Sequence, residues 1–165
     1  MSHAPTGGPL SDQRVLCDDQ FDRSSLVAVR KNVAACAAAQ GLQDLPLTRF
    51  TVAVHEIVVN AVRHGGGRGR LRLWRTADTL HCLVSDDGPG IADRHRGLRP
   101  QPSGAGAGQT SYGLWLVGQL CPHVQITDRA DRGTDVLLEF PLHADHASPS
   151  RPGDVGPGTA GPSAA

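Results

Sequence analysis

The sequence is short of aromatic residues, of lysine and of paired cysteines. Phe, Trp and Tyr make up 4% of its 165 residues, and Lys31 is the lone lysine among 16 basic side chains. The arginine preference reads as a composition bias, not a functional signal. Cys17, Cys36, Cys82 and Cys121 form no close pair, so neither a zinc site nor a disulfide framework is indicated. Four buried or half-buried free thiols in a cytoplasmic protein are expected instead. Net charge is lacking too: 16 basic residues balance 16 acidic ones. Nothing global therefore argues for nucleic acid or an anionic membrane as a partner. No apolar run approaches the ~20 residues of a spanning helix. Met1–Leu10 has no charged segment leading into an apolar core, so no secretory signal is expected.

Gly (20) and Pro (12) are plentiful but unevenly placed. They gather in residues 1–10, around Gly65–Gly69, between Gly88 and Gly108, and after His143. Residues 143–165 hold almost no large apolar side chain and are expected to be a disordered tail, as are residues 1–10. The foldable domain is then 11–142, about 130 residues, enough to bury a core without staples.

Periodicity predicts the elements. Gln13–Cys17 is a short strand. Ser24 or Ser25 caps a helix to about Gln40, which Gly41 stops. A second helix runs from Pro46, in its first turn, to about His64, ended by Gly65-Gly66-Gly67. Arg70–Arg75 and Thr79–Ser85 are strands around a turn at Thr76–Asp78. Asp87–Thr110 is a long Gly-rich loop. A third helix covers about Tyr112–Leu120, and Val124–Arg129 pairs with Asp135–Phe140 in a hairpin. The order predicts an α+β sandwich with helices on one face of a mixed sheet.

Four features carry chemistry. At ~100° per residue, Glu56, Asn60 and His64 share a stripe about 80° wide on the second helix. Leu47, Phe50, Val54, Ile57, Val58 and Ala61 fill the adjoining arc. A carboxylate, an amide and an imidazole thus line up beside a core-facing surface, although such i, i+4 polar pairs also occur on plain solvated edges. His55-Glu56 begins like the zinc-protease pattern H-E-x-x-H, but its fifth position is not His. His55 is also a poor phosphoacceptor, lying about 100° from the stripe.

The second feature is Asp86-Asp87-Gly88-Pro89-Gly90. A carboxylate at a strand end can accept a hydrogen bond from a ligand amino group, and glycines let backbone approach a flat ring. The third is Gly104–Gly113, a Gly-rich run feeding a helix start, where free N–H groups suit phosphate oxygens. The fourth is Gly133-Thr134, a small hydroxyl opening a strand. Each is weak alone; in this order they reinforce one another.

These residues resemble the ATPase domains of the GHKL superfamily (gyrase, histidine kinase, MutL), and within it the stand-alone anti-sigma-factor serine/threonine kinases of bacteria. Glu56-xxx-Asn60-xxx-His64-Gly65 is similar to the N box. Asp86-x-Gly88-x-Gly90 is similar to the first glycine box, Tyr112-Gly113-Leu114 with the following Trp-Leu-Val to the second, and Gly133-Thr134 to the last. The likeness runs from about Arg14 to Phe140. It implies a Bergerat-type two-layer sandwich that binds ATP with Mg2+. Glu56 would be the general base and Asn60 the Mg2+ ligand. Asp86 would accept the adenine amino group, with Thr134 near the ring and Gly88 and Gly90 lining the nucleotide. Gly104–Thr110, including Gly108, would form a lid. Ser111, Tyr112, Gly113 and Leu114 would face the nucleotide at the helix start, and His64, with Arg63, would reach phosphate or a partner protein.

One departure stands out. Ser111 occupies a position where the family usually has Gly. It could cap the helix or donate to phosphate, or it could crowd the phosphates. The transducer domains of gyrase and MutL, and the phosphoacceptor hairpin of sensor kinases, have no counterpart in the sequence. The resemblance therefore implies a kinase acting on a STAS-type anti-sigma antagonist, with a sigma factor as further partner and a homodimer as its assembly. The alternative is a catalytically weak or inactive nucleotide-sensing module that sequesters a transcription regulator.

Overall fold

The computed structural model describes residues 13–90, 108–130 and 132–142. Its elements are β1 (Arg14–Asp22), α1 (Leu26–Ala39), α2 (Asp44–His64), β2 (Arg68–Thr76), β3 (Thr79–Asp86), α3 (Gly108–Leu120), β4 (His123–Asp128) and β5 (Thr134–Pro141). The expected tails and most of the expected lid lie outside the described residues.

Each element arises from a local pattern. β2 alternates arginines with leucines, and Leu71 and Leu73 are buried while Arg70 and Arg72 face out. α1 ends as predicted. Gly41 takes φ +103°, its N–H bonds to Ala38 O, and the N–H of Leu42 reaches back to Ala37 O at 3.2 Å. Its start differs from expectation. Ser25 sits at the cap but makes no side-chain cap bond. Asp22 serves instead, its carboxylate accepting the N–H groups of Ser24 (2.8 Å) and Ser25 (3.2 Å). β1 is longer than predicted because its inner face, ending in Phe21, packs on the core although its outer residues are polar.

The class is as expected: an α+β sandwich with the helices on one side of a five-stranded sheet. The expected mixed sheet is corrected, because every pairing is antiparallel, in the order β1-β2-β3-β5-β4. β3 and β4 do run the same way, joined across α3. β5 returns between them, so the two parallel strands never become neighbours.

The core lies between sheet and helices. Phe50, Ala53, Val54, Ile57, Val58 and Ala61 of α2 meet Leu80, Cys82 and Val84 of β3 and Val136, Leu138 and Phe140 of β5. The rings of Phe50 and Phe140 meet edge to face at 5.7 Å. By length and composition α2 could cross a membrane, so the expectation of no such run needs amending. Here it is the central core helix. The four cysteines are free, Cys82 and Cys121 buried and the other two half-buried, as predicted.

Candidate functional site

One stripe of α2 is not consumed by the core. Its apolar positions face β2, β3 and β5, which leaves Glu56, Asn60 and His64 at the margin where α2 meets α3. α3 comes close there because it carries Gly113. A Cβ at that position would lie 3.1 Å from Glu56 Oε2 and 3.3 Å from Asn60 Nδ2. The backbone of α3 thus rests on the carboxylate and the amide. Asn60 Nδ2 is buried and has no hydrogen-bond partner, which is costly for an amide.

The second wall is built around Asp86 at the end of β3. Gly65, where α2 stops, lies so close that a Cβ there would come within 2.6 Å of Asp86 Cβ and of Ala61 O. A Cβ on Gly88 would lie 2.5 Å from Gly65 Cα and 2.8 Å from His64 O. These are backbone-to-backbone approaches that only glycine allows. The Gly88 N–H donates to Asp86 Oδ1 at 2.9 Å, and the backbone of Thr134 also bonds to this carboxylate. Burial pushes the Asp86 carboxyl above the usual aspartate range, against the opposing pull of those two bonds and of Arg129.

Between the walls lies a cleft. Asn60, His64, Asp86, Gly90, Leu114 and Thr134, six of the predicted residues, line it together. Ile57, Ala61, Gly65, Val84 and Val136 complete it with apolar surface. Glu56 and Gly113 adjoin it at Asn60. Gly88 is buried behind Asp86 and not in the lining. Tyr112 does not join the cleft: it is 57% exposed and its ring leans on Trp115. Gly108 and Ser111 fall in the first turn of α3, which places their backbone at the helix start.

Sequence reasoning did not find the apolar lining, although Ile57 and Ala61 flank the polar stripe at helical spacing. Nor did it find that Arg129, at the end of β4, pairs with Asp87. Forty-two residues separate the two, and no local pattern marks them. Among the described residues no three His, Cys, Asp or Glu side chains gather as a metal cluster. His55 is half-buried, its Nδ1 buried without a partner, and burial and Arg30 hold its pKa below the usual imidazole value.

The chain is similar to known proteins in sequence pattern and in fold. Residues 20–140 match the family model of the histidine kinase-like ATPase domain. No curated protein is a significant match. Among solved structures, the mycobacterial sensor histidine kinase MprB aligns at TM-score 0.50 and 19% identity, over 76% of this chain and 97% of the other. The catalytic domain of histidine kinase ThkA aligns at TM-score 0.50 and 15% identity, over 76% and 95%. At such identities the structures speak for the fold alone, while the family model spans most of the chain and its four motif regions. The chain belongs to the histidine kinase-like ATPase family of the GHKL superfamily.

Proposed function

We propose that this chain is an ATP-dependent serine/threonine kinase of the anti-sigma-factor type, working in the cytoplasm on a STAS-type antagonist and binding a sigma factor. The observation that carries the reading is the meeting of Glu56, Asn60 and Gly113. It sets a carboxylate and an unpaired buried amide against the backbone of α3.

The cleft suits ATP. Asp86 accepts a hydrogen bond from the adenine amino group, and the half-buried setting strengthens that bond. Ile57, Ala61, Val84 and Val136 offer apolar surface to the ring. The N–H groups at the start of α3 have no partner within the helix, and they face phosphate oxygens. Mg2+, when bound with the nucleotide, neutralises phosphate charge, and it is held mostly by phosphate and water. Asn60 fits as its protein ligand, since the amide can flip its oxygen into the place of the unpaired nitrogen.

Glu56 takes the proton of the acceptor serine or threonine hydroxyl. The new bond joins that oxygen to the γ-phosphorus, and the bond from phosphorus to the bridging oxygen of ADP breaks. The phosphorylated antagonist gains about −2 charge, which weakens its hold on the kinase.

Calorimetric titration of Mg-ATP into wild type and Asp86→Asn tests the nucleotide site. Micromolar-range binding lost in the variant is expected. A phosphotransfer assay on the candidate antagonist then separates kinase from binder. Acid-stable phosphate on the antagonist, lost in Glu56→Ala, is the expected result. Binding without any transfer would instead favour the nucleotide-sensing module, and transfer unchanged in Glu56→Ala would remove Glu56 from the role of base.

A further inference from the structure

The loops that carry the two sides of the adenine end belong to different strands, and past the sheet ladder they meet only where Gly133 and Thr134 touch Asp86. The β3–β5 ladder stops at the Ser85–Asp135 pair. Beyond it the chain splits into the segment 87–90 on one side and the β4–β5 turn on the other. Arg129 adds a side-chain tie between the two, one residue further out. Its backbone N–H bonds to Gly133 O at 3.0 Å. Its Nε and one terminal nitrogen donate to Arg132 O at 3.2 and 3.0 Å. That same terminal nitrogen reaches Asp87 Oδ1. Asp135 lies 3.9 Å from the other nitrogen. Residue 133 is glycine because its φ is +102° and a Cβ there would overlap the backbone O of Asp86; the Arg129 guanidinium packs on the same side, 3.0 Å from that Cβ position. The preceding residue, Asp128, leans on the same loop, its Oδ1 3.3 Å from where a Cβ of Gly90 would be.

We propose that Arg129 and Asp87 form a latch across the open end of the sheet, making Arg129 a positioning residue for the nucleotide. The inference rests on the reading of the cleft as an ATP site. Arg129 does not line the cleft; it acts through the turn leading to Thr134 and the loop that carries Gly88 and Gly90. Because it works at the base end, opening the latch weakens ATP, ADP and adenosine alike.

The test titrates these three ligands into wild type, Arg129→Gln, Arg129→Lys, Asp87→Asn and the Gln/Asn double variant. Arg129→Gln is expected to weaken all three by one common factor, about fivefold for a partly exposed ion pair. Arg129→Lys recovers part of the loss, and the double variant is no worse than the weaker single one. Adenosine is uncharged, so its affinity in wild type falls with added salt as the pair is screened, and the fall disappears in Arg129→Gln. A loss confined to ATP would instead mean contact with phosphate, and additive losses would mean two independent residues; either overturns the latch. Hydrogen exchange at the Gly88 amide, read without nucleotide, keeps the two readings apart. Faster exchange in Arg129→Gln supports the latch even if wild type binds no nucleotide. Unchanged exchange and unchanged affinity overturn it.

Discussion

The two ends of the cleft are built in opposite ways. At the Asp86 end the carboxylate is bonded to the backbone of Gly88 and Thr134, and three chain segments touch through glycines. At the Glu56 end a buried amide nitrogen has no partner, and α3 approaches without filling the space. The first end is a finished template, its hydrogen bonds made before any ligand arrives, although burial of the carboxylate works against it. The second keeps an unmet hydrogen-bonding group, left for whatever binds there to engage. One end is thus preformed, and the other is left with a polar group to satisfy.

The hardest way to break this contrast is at the template. Gly88→Ala drives a Cβ into the backbone of Gly65 and His64. We expect a loss of about 3 kcal/mol of stability in denaturant unfolding, at the upper range for overpacking. A variant as stable as wild type would show the contact to be soft.

Asp86→Asn divides stability from binding. Asn keeps an oxygen for the Gly88 N–H but turns donors toward the adenine amino group, so nucleotide affinity is expected to fall at least about tenfold. Burial raises the Asp86 pKa above the ordinary value of 3.8. In the window between those two values the folded state binds more protons than the unfolded one, so this group favours folding more as pH falls through the window. The ligand needs the ionised form. Nucleotide affinity is therefore lost on acidification at a pH above the usual aspartate range, while the neutral Asn variant melts no lower than wild type. Calorimetry and thermal melting across pH 4–7 would read both.

At the other end, Asn60→Leu removes the unpaired amide. Apo stability is expected to rise by about 1 kcal/mol in denaturant unfolding, and the Mg2+ dependence of ATP binding to disappear. A destabilised apo variant would mean that the amide already has a partner.

The smallest effect lies outside the cleft. Burial lowers the pKa of His55, helped by Arg30, and of His81, against the opposing pull of Glu139. As pH falls below the ordinary imidazole value of 6.5, the unfolded chain takes protons first, and stability is lost until the folded-state values are passed. Melting should drop by about a degree or two between pH 7 and 5, and His81→Phe should remove part of that drop. A cleft-local readout that does not follow this slope confirms that the Asp86 effect is separate.

Much of this was legible in the sequence, because it is encoded in short spacings. The i, i+4, i+8 stripe of Glu56, Asn60 and His64 follows from helical geometry, and the stop at Gly41 follows from the conformation glycine permits. The hidden parts depend on residues far apart in the chain. No local signal says that β5 slips between β3 and β4, which made a mixed sheet look natural. The close approaches of Gly65, Gly88 and Gly133 to Asp86 or its neighbours need three separate segments to be placed at once. Asp22 displaces the expected serine caps because the end of β1 turns its carboxylate onto the helix start, a matter of strand direction. Tyr112 illustrates the reverse: Leu114 lines the cleft and Gly113 adjoins it, while the Tyr112 ring, a step earlier on the helix, is exposed and leans on Trp115.

The place of β5 has a consequence for how the chain comes into being. β5, the last of the described strands to be synthesised, lies inside the sheet, with β3 on one side and β4 on the other. Until it emerges from the ribosome, β3 offers an open edge to any passing strand. The same strand brings Thr134 to Asp86. The cleft lined by Asp86 and Thr134 is therefore completed only when that inner edge of β3 is closed.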